Sequence, residues 1–176
     1  MLEAFQFAHW VSREAIEAFE LLSSLPKAPD TKDTEAIRAF YDEFNQRYLS
    51  EALDVFDVAI TDVYVGDIRV HLVERPNTKP GPTLICLHGG SFMWGRGAGA
   101  LLEAVPIAAT TGFRVAAVEY ALAPENQYPS AIDDVINVYS SLLEQVPANS
   151  IGVFGCSAGG MLTSQTIMSG ARSSTL

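Results

Sequence analysis

Gly155-Cys156-Ser157-Ala158-Gly159-Gly160 follows directly on Ser150-Ile151-Gly152-Val153-Phe154, and the junction between the two decides how the rest of the chain is read. Ile151 to Phe154 is a short β-branched and aromatic run that predicts a strand. Ala158 to Met168 contains good helix formers (Ala158, Met161, Leu162, Gln165), with Gly170 as the expected C-terminal stop. A serine between the two, with a glycine two residues away on either side, marks a sharp strand-to-helix turn. The glycines remove side chains where strand and helix approach closely. Such a turn exposes the hydroxyl at the carboxyl end of a sheet, so Ser157 is the candidate nucleophile. A serine nucleophile also needs a base and an acid to orient it, and no His, Asp or Glu follows Ser157.

Upstream, Pro82-Thr83-Leu84-Ile85-Cys86-Leu87 predicts a buried strand, and it runs straight into His88-Gly89-Gly90-Ser91-Phe92. Acyl transfer builds negative charge on a carbonyl oxygen, and backbone N–H groups must be aimed at that oxygen beforehand. Glycines let a loop bring its N–H groups close. Alone, a Gly-Gly turn after a strand is only a loop; in order with the serine turn it reads as an oxyanion loop.

With Tyr120-Ala121-Leu122-Ala123-Pro124-Glu125 and Tyr128-Pro129-Ser130-Ala131-Ile132-Asp133-Asp134, these stretches make four motifs in order. Together they resemble the hormone-sensitive-lipase-like esterases of the α/β-hydrolase fold over roughly residues 55 to 170. The resemblance implies a mainly parallel sheet with helices on both faces, in an α/β architecture with an N-terminal helical cap segment. It implies carboxylic-ester hydrolysis through an acyl-enzyme at Ser157, with oxyanion N–H groups from Gly89, Gly90 and Ala158. His88 would brace the oxyanion loop rather than act as the base. No cofactor and no metal is implied, and the implied substrate is a small hydrophobic ester. The chain departs from the family at Ser91, where a third glycine is usual and a small residue is expected to be tolerated. It departs again at Ala121, where an arginine usually partners Glu125. The Asp and His that complete the triad have no counterpart here. The resulting expectation is a cap segment over residues 1–50 and, over 51–176, the N-terminal part of an α/β-hydrolase domain without its C-terminal half. A second reading stays open: a non-catalytic, receptor-like binding member of the same fold, as in the plant gibberellin receptors that resemble this family.

Composition sets the outer limits. The 176 residues are 48% hydrophobic, enough for one sizeable core. A net charge of −10, from 21 acidic against 11 basic residues, argues against nucleic acid and against an anionic membrane surface. No apolar run is long enough for a membrane span. Glu3 and the lack of an early Lys or Arg argue against a secretory leader, so a cytoplasmic location is expected, with Cys86 and Cys156 as reduced core thiols.

The first 50 residues read as helical. Ile16, Phe19, Leu22 and Leu25 share one face before Pro26. Ile37, Phe40, Tyr41, Phe44 and Tyr48 share another, with Asp33 as N-cap. Val55 to Val65 and Ile68 to Glu74 predict a hairpin turning at Gly66-Asp67. Ala98 to Thr111 predicts a helix, Arg114 to Tyr120 a strand, and Pro129 opens a helix with Asp133 and Asp134 in its first turn. Phe5, Phe7 and Trp10 read as packing aromatics or as substrate-lining ones. No histidine is a ready base: His9 falls in the N-terminal helix, His71 on a strand far from the sheet's carboxyl edge, and His88 in the oxyanion loop.

Overall fold

The runs that alternate apolar residues with glycine and proline breakers become five strands, and the stretches with helical periodicity become five helices. The computed structural model describes residues 7–78 and 81–173; Phe5 lies outside the described residues. In chain order the elements are α1 (Arg13–Ser24), α2 (Thr34–Val55), β1 (Ala59–Val65), β2 (Ile68–Glu74), β3 (Thr83–Leu87), α3 (Ala98–Thr111), β4 (Arg114–Val118), α4 (Ser130–Leu143), β5 (Ile151–Gly155) and α5 (Ala158–Ser173). The chain forms two units, residues 1–30 and 31–176. In the first, the Ser12 side chain caps α1 by accepting from Ala15 N, and Phe7 meets Phe19 edge to face. No residue of α1 is buried, so its apolar stripe is not a core face.

In the second unit the strand order is β1-β2-β4-β3-β5. β4, β3 and β5 run parallel, with Thr83 opposite both Arg114 and Ile151. The β1–β2 hairpin adds antiparallel, Val70 opposite Val118. Because side chains alternate along a strand, the sheet feeds two cores. Ile85, Leu87, Ala116 and Val118 face α4 and Leu162 of α5. Cys86, Val115, Ala117 and Val73 face α3 and Leu49 of α2. Helices thus cover both faces. Parallel strands also end together, so the residues after Leu87, Val118 and Gly155 meet at one edge.

Several expectations are corrected. The strand does not begin at Val55: α2 continues through that residue, and the hairpin opens only at Ala59. Alanine and leucine near the end of α2 favour one more turn, which packs Ala52 and Phe56 against the α3 core. Gly170 does not stop α5, which continues to Ser173 with Gly170 buried; there a missing side chain serves packing rather than termination. His9 and Trp10 lie in a turn before α1, and Trp10 is exposed. β5 pairs with β3 on one side and with no strand on the other among the described residues, leaving an edge with open backbone groups. Among the described residues no helix is long and apolar enough to cross a membrane.

Candidate active site

Ser157 occupies the turn between β5 and α5 with φ of +52°, the left-handed region that a non-glycine residue enters only under strain. The turn is closed by Gly159 N donating to Cys156 O at 2.9 Å and Met161 N to Ser157 O at 3.1 Å. Ala158 opens α5, and its own N–H, at the positive end of the helix dipole, has no carbonyl one turn back. Across from it, a Cβ on Gly89 would sit 3.4 Å from Ser157 Cβ, so the loop after β3 touches the serine turn. The N–H groups of Gly89, Gly90 and Ala158 have no protein acceptor among the described residues. These five residues, His88 included, are therefore brought together at the sheet's carboxyl edge.

The loop 88–97 is held by its own packing. His88 is buried, stacks on Tyr120 with ring centroids 4.2 Å apart, and bonds Gly89 O through Nδ1 at 2.7 Å. Tyr120 Oη donates to His88 O at 2.6 Å. Burial pulls the His88 imidazole down to about 4, so it is neutral. Gly90 has φ of +119°, and a Cβ there would meet Trp94 C at 2.7 Å. Ser91 and Phe92 follow at φ +54° and +60°. The expectation that Ser91 is tolerated because it is small misses the constraint: the position demands left-handed backbone, where any L side chain costs about 1–2 kcal/mol.

Sequence reading left Glu125 without its family arginine. The structure supplies one from α2. Arg38 donates to both Glu125 oxygens at 2.9 and 2.8 Å, to Ala123 O at 2.9 Å and to Met93 O at 2.8 Å. The Arg38 hydrogen bonds hold the Glu125 carboxyl down near 2. Asp134 is more than a helix-start residue, since its Oδ2 accepts from Ala121 N at 2.7 Å and fixes the loop after β4.

His71 is also placed differently from expectation. β2 is antiparallel to β4, so its first residues lie at the carboxyl edge, and His71 pairs with Ala117 near the end of β4. Its ring is buried between two carboxylates, Nδ1 to Asp62 at 2.6 Å and Nε2 to Glu119 at 2.8 Å. Two acceptors require both ring nitrogens to donate, which is the imidazolium. The Glu119 hydrogen bond, with Asp62 behind it, raises the His71 pKa against the pull of burial. Glu119 also accepts from Gly97 N at 2.9 Å, which ties this cluster to the start of α3. A raised histidine stabilises fully below its unfolded pKa of about 6.5, and that contribution disappears as pH rises through the folded value. Urea stability is therefore expected to fall as pH rises above about 6.5, and to fall less in His71→Gln; equal slopes would remove His71 as the source.

Cys86 and Cys156 are both free, but only Cys86 is a core thiol; Cys156 is exposed beside the serine, because it belongs to the turn rather than to β5. Glu103 of α3 is a partly buried carboxyl whose pKa is raised by burial, with the Cys156 thiol acting to lower it. Glu103 carried a signal in the sequence, as the one charged residue of α3. Arg38 carried none, because the partners it holds at the site, Met93, Ala123 and Glu125, lie 55 to 87 residues away.

Residues 84–175 match the family described as alpha/beta hydrolase fold. The chain belongs to that family, on its hormone-sensitive-lipase-like esterase branch. It is 31% identical over 128 residues to an acetyl-hydrolase of Streptomyces hygroscopicus, covering 72% of this chain and 41% of that protein. It is 30% identical over 150 residues to the acetyl esterase of Salmonella typhi, covering 78% and 44%. Among solved structures, a bacterial heroin esterase superposes with TM-score 0.76 at 29% identity, covering 90% of this chain and 53% of that one. The chain thus spans less than half the length of these two curated relatives.

Proposed function

We propose that this chain carries the nucleophile and oxyanion half of a carboxylic-ester hydrolase. Ser157 Oγ attacks the ester carbonyl, the N–H groups of Gly89, Gly90 and Ala158 receive the oxyanion, and an acyl-enzyme forms as the alcohol leaves. His88 braces the loop that presents Gly89 and Gly90. The observation that carries this reading is the strained Ser157 turn facing three N–H groups with no protein acceptor. Strain of about 1–3 kcal/mol persists only where surrounding structure over-determines it, and such sites gather at reacting centres. The relatives' names favour short acyl groups, so the proposed substrate is a small short-acyl ester. Of the expected cap segment, α2 is the part whose role is supported, since its Tyr41 and Phe44 line a cavity with Gly89 and Gly90.

The base and its acid are supplied by none of the histidines in the second unit: His88 is turned into its own loop and His71 is held as an imidazolium. Prolonged exposure to an alkyl fluorophosphonate tests the proposal. Slow accumulation of a single adduct, mapped by mass spectrometry to Ser157 and absent in Ser157→Ala, is expected. Adducts scattered over other hydroxyls, or none at Ser157, would overturn it.

A further inference from the structure

Glu103 is the one charged residue of helix α3. That side chain is partly buried and has no ion pair: among the described residues no Lys, Arg or His pairs with it. The one polar group that offsets its burial is the Cys156 thiol. Burial, and behind it the Glu103 charge, pushes up both the Cys86 thiol and the Tyr120 phenol. Glu103 lines a cavity of about 250 Å³ with Tyr41, Phe44, Asn45 and Trp94, and Gly89 and Gly90 lie along it. Tyr41 and Trp94 are stacked 4.6 Å apart at 7°, which fixes them as a wall. Asn45 closes the far side because residue 99 is glycine: a Cβ there would meet Asn45 Nδ2 at 2.8 Å. Through Gly89 the cavity adjoins the Ser157 turn.

A partly desolvated carboxylate without a cation is where an arriving cation gains most, because its attraction is less screened than in water. Aromatic walls add cation–π attraction and contact with the methyl groups of an ammonium. An anionic ligand would be repelled, and a neutral one would leave the carboxylate uncompensated and further dehydrated. We infer that this cavity recognises an ammonium group, and that the ester taken at Ser157 carries such a group on its alcohol or acyl part. The second clause rests on the ester-hydrolase reading; the first does not.

Calorimetric titration of the 176-residue chain with acetylcholine and with 3,3-dimethylbutyl acetate, its uncharged isostere, separates charge from shape. Acetylcholine is expected to bind about 10-fold more tightly. In Glu103→Gln the ratio falls to about 1, with circular dichroism reporting that the variant is folded. If that variant does not fold, wild-type protein at rising salt takes its place: acetylcholine weakens and the neutral ester does not. Equal binding of the two esters, no binding of acetylcholine, a preference that survives Glu103→Gln, or one indifferent to salt would each overturn the inference. Glu103-dependent binding of choline with no adduct at Ser157 would leave the ammonium site standing and remove the ester reading. An adduct at Ser157 with a ratio of one would do the reverse.

Discussion

Hydrolysis of p-nitrophenyl acetate by the 176-residue chain is expected to lie about 10⁴- to 10⁶-fold below that of a serine esterase with its triad intact. The serine hydroxyl is a weak nucleophile until a base within about 3 Å removes its proton. His88 is neutral and so has a free lone pair, but its Nδ1 bonds Gly89 O and its ring is stacked on Tyr120. His71 has no lone pair while both nitrogens donate to Asp62 and Glu119. What remains is the oxyanion N–H set and the cavity, which by themselves leave some acceleration over water. Ser157→Ala should therefore change the residual rate little. Robust turnover that Ser157→Ala abolishes would sink this reading, and would assign the base to His9, His71 or His88, or to a second chain.

The fold was legible wherever the chemistry is local. Ile151 to Phe154 and Thr83 to Leu87 could hardly be other than strands, and the glycines that follow them announce close backbone approach. Ala98 to Thr111 and Ile68 to Glu74 were read to the residue. Errors came where tertiary packing extends a helix, as at Val55 and Gly170. They came also where sheet direction, not sequence, decides position, as for His71. The candidate site was legible in its backbone parts, since turn and oxyanion loop are encoded by glycine and serine at fixed spacing. Its side-chain supports were not. Arg38 replaces an absent arginine at 121 from a helix far upstream, and only the folded chain reveals that Met93, Ala123 and Glu125 converge on it. The positive φ at Ser91 was not legible, because a sequence does not display φ.

Gly159→Ala is expected to destabilise the chain more than any other single methyl addition in the serine motif. Gly159 needs no unusual φ; what it needs is empty space. A Cβ there would lie 2.6 Å from Leu87 C and 2.8 Å from His88 O, and closer still to Leu87 O. Those atoms are the end of β3, held by parallel ladders to β4 and β5, so no flexible side chain can swing away. The added methyl must instead push α5 off the sheet, which opens the contacts of buried Leu162 and shifts the N–H of Ala158. Overpacking a core that can adjust costs about 1–3 kcal/mol, and a collision with fixed backbone should reach the top of that range or pass it. At about 2–4 °C per kcal/mol for a chain of this size, the midpoint of thermal unfolding should drop by about 10 °C. Gly160→Ala is the control: its Cβ would meet only Gly155 O at 3.1 Å, its φ is ordinary, and alanine is the better helix former. Thermal unfolding of the two variants side by side decides the matter. If Gly159→Ala melts with the wild type, strand β3 does not lie against the helix start as described, and the approach of Gly89 to Ser157 fails with it.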